Sequence, residues 1–364
     1  MPDTPLIVRV LLDPALSSGL READLDLLLR QARASRLLAR LNAALADAGL
    51  LDTLLPAFRH HLDAAARVLN HQHRALDWEL RGFARLLKPI GVEPVLLKGA
   101  AYVAAGLRAA RGRSFSDIDF MVPEARLGDV ESLLMRDGWV CHLTDDYDQR
   151  YYRTWMHEIP PLTHMKRGTS LDVHHAITPR TARVRADSNA MLAAAQPLPA
   201  YPGLRVLSPV DRVLHSAVHL FMDGEFDAGL RDLFDLRSLI EQGMAEDADF
   251  AAQLAHRALE VGLERPLHYA LRYLDMLFGP SGLEAIGDRL PAAARGALHQ
   301  RTMDSLFRRA LRPHHPSCSD ALTPLALSLL YVRGHWLRMP THLLLGHLIR
   351  KALRRQDDSP DNPQ

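Results

Sequence analysis

The hydrophobic periodicity of this 364-residue chain changes twice, which restricts it to a sheet-bearing middle flanked by helices. Through residues 6–88, Leu25, Leu28, Leu29, Leu37, Leu38 and Leu41 recur at three- and four-residue steps, the spacing of helices that bury one stripe. Lys88-Pro89-Ile90-Gly91 breaks the pattern. The apolar run from Val92 to Leu97 then predicts a buried strand, and Gly99 with Ala100, Ala101, Ala104 and Ala105 predicts a helix packed closely on it. Alternation from Ser116 to Val122 predicts a second strand, with Ile118, Phe120 and Val122 on one face and Asp117, Asp119 and Met121 on the other. Pro123 and Glu124 open a helix carrying Leu127, Val130, Leu133 and Leu134, and Gly138 is placed to end it. Residues 161–165 and 170–175 flank Lys166-Arg167-Gly168-Thr169, the arrangement of a hairpin with a glycine-containing turn. After about residue 208 helical periodicity returns and lasts until a polar tail read as disordered. The expected divisions are a helical region over 1–88, an α/β core over 89–207, a second helical region over 208–355 and a disordered tail over 356–364.

Composition narrows the function classes. With 48% hydrophobic and 24% charged residues the chain is of a folded type. Its 44 basic and 43 acidic residues leave a net charge of +1, which speaks against a protein that coats nucleic acid, so no specific nucleic-acid partner is expected. Cys141 and Cys318 match no zinc or redox spacing and read as ordinary thiols in a reducing compartment. The opening segment has an early acid and no cationic lead into a long apolar run, unlike a secretory signal. Near the other end, Leu322 to Val332 falls short of the roughly 20 apolar residues a membrane span needs. The expectation is a cytoplasmic protein. Between 333 and 355 lie Arg333, Arg338, Arg350, Lys351, Arg354 and Arg355 without an acid, interleaved with Trp336 and several leucines. A terminal helix docked on the protein is the favoured reading of this stretch, and peripheral contact with the inner face of the membrane is the second.

The residues with chemical potential cluster in the middle. Asp117 and Asp119, one residue apart on a strand, point to the same face with Cα atoms roughly 6.5 to 7 Å apart. At an effective dielectric near 20, two charges about 6 Å apart repel by roughly 3 kcal/mol, so a partly buried pair calls for a cation or a proton. A solvated turn is the alternative for an isolated Asp-x-Asp. Upstream, Leu97-Lys98-Gly99 is a strand-to-helix junction that presents backbone N–H groups and a lysine to an anion. Arg113, Ser114 and Ser116 lie in the connecting loop, and Ser170-Leu171-Asp172-Val173-His174 places Asp172 and His174 on one face of a later strand.

This ordered set resembles the nucleotidyltransferase superfamily of DNA polymerase β type, and above all its bacterial branch of uncharacterised nucleotidyltransferase family proteins. The resemblance extends into Leu214-His215-x-x-x-His219 and Leu230-Arg231-Asp232-Leu233-x-Asp235 and covers about residues 90–240. It implies an α+β fold, a nucleotidyltransferase-type mixed β-sheet core flanked by N-terminal and C-terminal helical regions. It also implies a Mg-dependent transfer of a nucleoside monophosphate from a nucleoside triphosphate to an acceptor, with pyrophosphate released. Asp117, Asp119 and Asp172 would be the catalytic carboxylates and would hold two magnesium ions, with manganese as a substitute. Lys98, Gly99, Arg113, Ser114, Ser116 and His174 would contact the nucleotide, ATP or another triphosphate. The superfamily's phosphate turn commonly carries Gly-Ser, and Lys98-Gly99 stands there instead. The acceptor would be a sugar, a lipid-linked glycan or a protein, with a place in surface polysaccharide biosynthesis as one implication. The alternative is a catalytically inactive nucleotide-sensing or partner-binding protein with the same fold.

The remaining candidates read as structural. His215 and His219 have metal-permitting spacing but lack the glutamate of a zinc-protease helix, which favours core or supporting histidines. Arg231, Asp232 and Asp235 either line the cleft or bridge helices, with bridging favoured. His60, His61, His71 and His73 read as exposed helix residues. No dinucleotide or P-loop glycine motif and no His-Asp dipeptide occurs.

Overall fold

The computed structural model describes residues 4–340 except 144, 281 and 292–296. The expected tail over 356–364 and the basic stretch beyond residue 340 lie outside the described residues. Four helices open the chain: α1 (Leu6–Leu12), α2 (Glu22–Ala34), α3 (Leu38–Asp47) and the 32-residue α4 (Pro56–Leu87). Proline at the first position of α4 suits a helix start. Phe58, Leu62, Leu69, Leu76, Leu80, Phe83 and Leu87 form its buried stripe.

The middle then alternates as β1 (Val95–Leu96), α5 (Lys98–Ala104), β2 (Asp117–Met121), α6 (Leu127–Asp137), β3 (Trp139–Cys141), α7 (Asp146–Trp155), β4 (Leu162–His164), β5 (Ser170–His174), α8 (Ser188–Ala193), β6 (Gln196–Pro197) and β7 (Arg205–Val206). Among the described residues these strands form one seven-stranded sheet of order β3-β4-β5-β2-β1-β7-β6. The central pair, β2 and β5, is parallel, with Asp117 opposite Ser170, Asp119 opposite Asp172 and Met121 opposite His174. Helix α4 packs on one face, where the Phe83 ring lies 5.4 Å from both Phe120 and Trp139.

The C-terminal part is helical: α9 (Pro209–Met222), α10 (Gly229–Glu246), α11 (Phe250–Glu260), α12 (Glu264–Phe278), α13 (Glu284–Gly287), α14 (Ala297–Ala310) and α15 (Thr323–Arg338). One hydrophobic cluster runs through the molecule from Ile7 to Leu337. The fold is therefore α+β, a mixed sheet with helical regions on either side in sequence, as the resemblance implied.

Local expectations fare unevenly. Strand β2 and the β4–β5 hairpin stand where alternation put them. Gly138 ends α6 at φ +99°, and Gly168 turns the hairpin at φ +69°. The strand expected over Val92 to Leu97 contracts to Val95–Leu96, because Pro94 has no N–H to donate and only its carbonyl is used, by the Arg205 N–H. Strands β3, β6 and β7 were not expected; each has two or three residues and is defined by its pairing partner rather than by a pattern of its own. The described start of the basic stretch is docked, since Arg333 donates to the Phe221 carbonyl and Arg338 to the Asp223 carbonyl. No helix among the described residues is long and apolar enough to cross a membrane.

Candidate functional site

The register of β2 on β5 assembles the acids. Asp119 and Asp172 sit side by side on parallel strands, and Asp117 precedes Asp119 on the same face. Oxygens of Asp117, Asp119 and Asp172 lie within 4.8 Å of one another. Asp119 is 2% exposed, whereas Asp117 and Asp172 are half-buried. Three carboxylates this close and this dry repel one another, and hard oxygen donors converging on one point suit a divalent cation such as Mg²⁺.

Lys98 meets part of that demand from within the chain. It opens α5 with φ +46°, a left-handed conformation that costs a residue with a side chain about 1 to 3 kcal/mol. Its Nζ donates to Asp119 Oδ1 at 2.9 Å. Burial alone would raise the Asp119 carboxyl, but Lys98 and His174 outweigh it and hold the group far below the ordinary carboxylate range. Burial would likewise lower the Lys98 ammonium, and Asp119 keeps it above its usual value.

His174, 3% exposed, stands between two carboxylates. Its Nε2 lies 3.2 Å from Asp119 Oδ1 and its Nδ1 lies 3.3 Å from Glu158 Oε2. Burial opposes its protonation, yet the hydrogen bond to Asp119 and the charge of Glu158 raise its pKa. Glu158 is positioned by an antiparallel bridge to His174. His157, Glu158 and His174 form a second group of close potential ligands, and His174 links it to the first through its contact with Asp119.

Among the described residues no cation is bonded directly to Asp172, and His174 offsets its burial only in part. Burial first, and then the charges of Asp119 and Glu158, push its carboxyl up to about 7. Asp172 and His174 both hold a proton more tightly folded than unfolded, so their stabilisation is full below the unfolded values and is lost as pH rises through the folded ones. In chelator, the melting temperature of the wild type relative to Asp172→Asn is expected to fall as pH is raised from about 5 to about 8, because the buried histidines whose pKa is lowered, His157, His215 and His219, act alike in both proteins. A difference that grows in favour of the wild type across that interval would contradict this account of the acid cluster.

Beside the carboxylates lies a cavity of about 230 Å³ lined by Lys98, Gly99, Arg113, Ser116, Asp117 and Asp119, with Arg36, Tyr102 and Arg231 on its further walls. Gly99 is needed for close approach, because a Cβ there would stand 2.0 Å from Arg113 Nη1. Arg113 is 5% exposed and is not a loose loop cation: its Nε donates to Asp235, its Nη2 is 3.8 Å from Asp232, and its guanidinium lies 5.3 Å from the Tyr102 ring centre. Arg40 donates to the same Asp235 carboxylate. Arg231 donates to Asp232 at 2.8 and 2.7 Å and to the Ser114 carbonyl at 3.4 Å. Asp232, Asp235 and Arg231 of α10 thus bridge elements and also line the cavity.

The structure brings together Lys98, Gly99, Arg113, Ser116, Asp117 and Asp119 around this cavity. Ser114 takes part through its carbonyl, and His174 acts from beneath Asp119. His215 is buried, and burial followed by the Lys98 charge pushes its pKa down to about 3. His219 lines the cavity and lies 3.7 Å from Asp223. His60, His61 and His71 are exposed as expected. His73 is a correction: it is half-buried and stacks on Phe115 with ring centres 6.2 Å apart, since it faces the loop before β2. Sequence reasoning missed Arg36, Tyr102 and Glu158. Arg36 and Tyr102 lie in segments that read as plain helix, and Glu158 stands alone between strands, so no local pattern marks them.

A family model described as uncharacterised nucleotidyltransferase matches residues 21–279, from the start of the second helix to the end of α12. No curated protein and no solved structure matches the chain.

Proposed function

Because the chain belongs to the uncharacterised nucleotidyltransferase family, we propose that it moves a nucleoside monophosphate from a nucleoside triphosphate to an acceptor and releases pyrophosphate. The observation that carries this reading is the convergence of Asp117, Asp119 and Asp172 beside the Lys98–Gly99 junction. Lys98, Arg113 and Arg231 supply positive charge to the cavity, Ser116 a hydroxyl, and Gly99 the room for Arg113. Asp117, Asp119 and Asp172 would hold magnesium, or manganese in its place, which when bound neutralises phosphate charge and favours in-line displacement. The acceptor oxygen bonds to the α-phosphorus as the bond from that phosphorus to the bridging oxygen breaks. A carboxylate oxygen of Asp172 takes the acceptor proton.

The test is incubation with α-labelled triphosphates, Mg²⁺ and a cell extract. A labelled acceptor that is absent with Asp117→Ala supports transfer. Triphosphate bound firmly by the wild type with no label moved to anything would support the sensing alternative instead.

A further inference from the structure

The segment that runs back along the end of β5 carries a donor set unlike that of the acid cluster. Its backbone is fixed: the His157 carbonyl accepts from the N–H groups of His175 and Ala176 at 2.8 and 3.3 Å, the Ile159 N–H donates to the Val173 carbonyl at 3.0 Å, and Glu158 bridges to His174. This lacing puts a carboxylate oxygen of Glu158 and ring nitrogens of His157 and His174 within 4.8 Å of one another. We propose that these three residues form a second metal site, separate from the acid cluster, and that it takes a transition metal of the zinc class. The site is independent of nucleotidyl transfer.

Donor chemistry separates the two clusters. Asp117, Asp119 and Asp172 offer oxygen alone, which suits magnesium, whereas two imidazoles and a carboxylate bind zinc and leave a fourth position for water. The spacing agrees. Two ligands at tetrahedral angles on zinc, each roughly 2.0 to 2.1 Å from it, stand about 3.3 to 3.4 Å apart, and two imidazole centres about 5 Å apart. His174 Nδ1 lies 3.3 Å from Glu158 Oε2, and the His157 and His174 ring centres are 5.3 Å apart. A charge-assisted hydrogen bond would draw the first pair to about 2.7 to 2.9 Å.

One ring nitrogen is left over. His157 Nδ1 is closed off from solvent and among the described residues has no hydrogen-bond partner. A simple ion pair between His174 and Glu158 would leave that nitrogen desolvated without return, whereas a shared ion gives it a bond. The other side of His174 is already prepared, because its Nε2 faces Asp119 at 3.2 Å. Metal-bound histidines commonly donate their second ring N–H to a carboxylate, which fixes the tautomer and the ring orientation. Glu158 is reachable, since it lines a cavity of about 440 Å³ together with Tyr151, Tyr152 and Tyr331, which provides an entry path and room for water. Zinc seated there would displace any proton from His174 Nδ1, tie residues 157 and 158 to β5, and keep the remaining ring proton on the nitrogen that faces Asp119.

The test strips the full-length protein with chelator, adds one equivalent of Zn²⁺ in excess Mg²⁺, and records X-ray absorption at the zinc edge. Scattering from two imidazoles is expected, a signature that three carboxylates cannot give. Co²⁺ in place of zinc should show the strong visible bands of a four-coordinate site. By calorimetry His157→Ala should weaken zinc binding at least about tenfold, while Asp117→Asn stays within about threefold of the wild type. Zinc should raise the melting temperature of the wild type and not that of His157→Ala. Zinc held by oxygen ligands alone, no binding at micromolar zinc, or equal affinity in the wild type and His157→Ala would overturn the site. If the His157→Ala chain does not fold, the absorption spectrum of the wild type decides by itself.

Discussion

Asp119→Asn should cut nucleotidyl transfer by about three orders of magnitude, the equivalent of roughly 4 kcal/mol of lost transition-state stabilisation. The side chain keeps its shape and can still accept from Lys98 Nζ, and the melting curve measures the separate cost of leaving the Lys98 ammonium without its anion. What disappears is the negative charge at the most buried of the three carboxylates. Without it, Asp117 and Asp172 remain as two partly solvated acids that hold a divalent cation weakly. Transfer rates for wild type and variant at saturating Mg²⁺, paired with their melting curves, decide the matter. A variant within about tenfold of wild type would show that Asp119 serves the fold and not the reaction.

The second large effect concerns stability. Asp235 is 1% exposed and accepts from two guanidinium groups, Arg40 and Arg113, whose side chains are 10% and 6% exposed. Asp235→Ala leaves both cations buried without their anion, which typically costs about 3 to 5 kcal/mol. Because those arginines come from α3 and from the loop before β2, the loss should be felt globally, as a large fall in the denaturant midpoint with the slope preserved. Asp235→Asn, which retains an acceptor, should lose less. An alanine variant within about 1 kcal/mol of wild type would mean that water enters and solvates the pair.

The two effects mark the boundary of what the amino-acid order discloses. Asp117 and Asp119 were legible because a period of two puts them on one face whatever else the chain does, and Asp172 with His174 obeys the same rule on β5. Their meeting needs only the pairing of those strands. Arg113 was legible as a cation near the site but not as a captive one, since its partner Asp235 stands 122 residues away on a helix whose docking no local pattern specifies. Glu158 escaped notice for the same reason: its contact with His174 comes from a single bridge. His73 was misjudged because its neighbours on α4 look solvated, and it is the loop before β2, with Phe115 and the Arg113 backbone, that approaches it. The shortest strands follow suit, as β6 and β7 owe their existence to each other and to β1.

Lys98, held in its left-handed conformation against Asp119, gives the chain a tethered counterion. In small zinc-dependent domains, nascent polypeptide must await its ion before it can fold. Here the deepest acid is already neutralised by a group encoded a few residues upstream of the loop that leads to it. The chain can therefore reach its fold before any divalent ion binds, and loading of an ion would be a separate, later step.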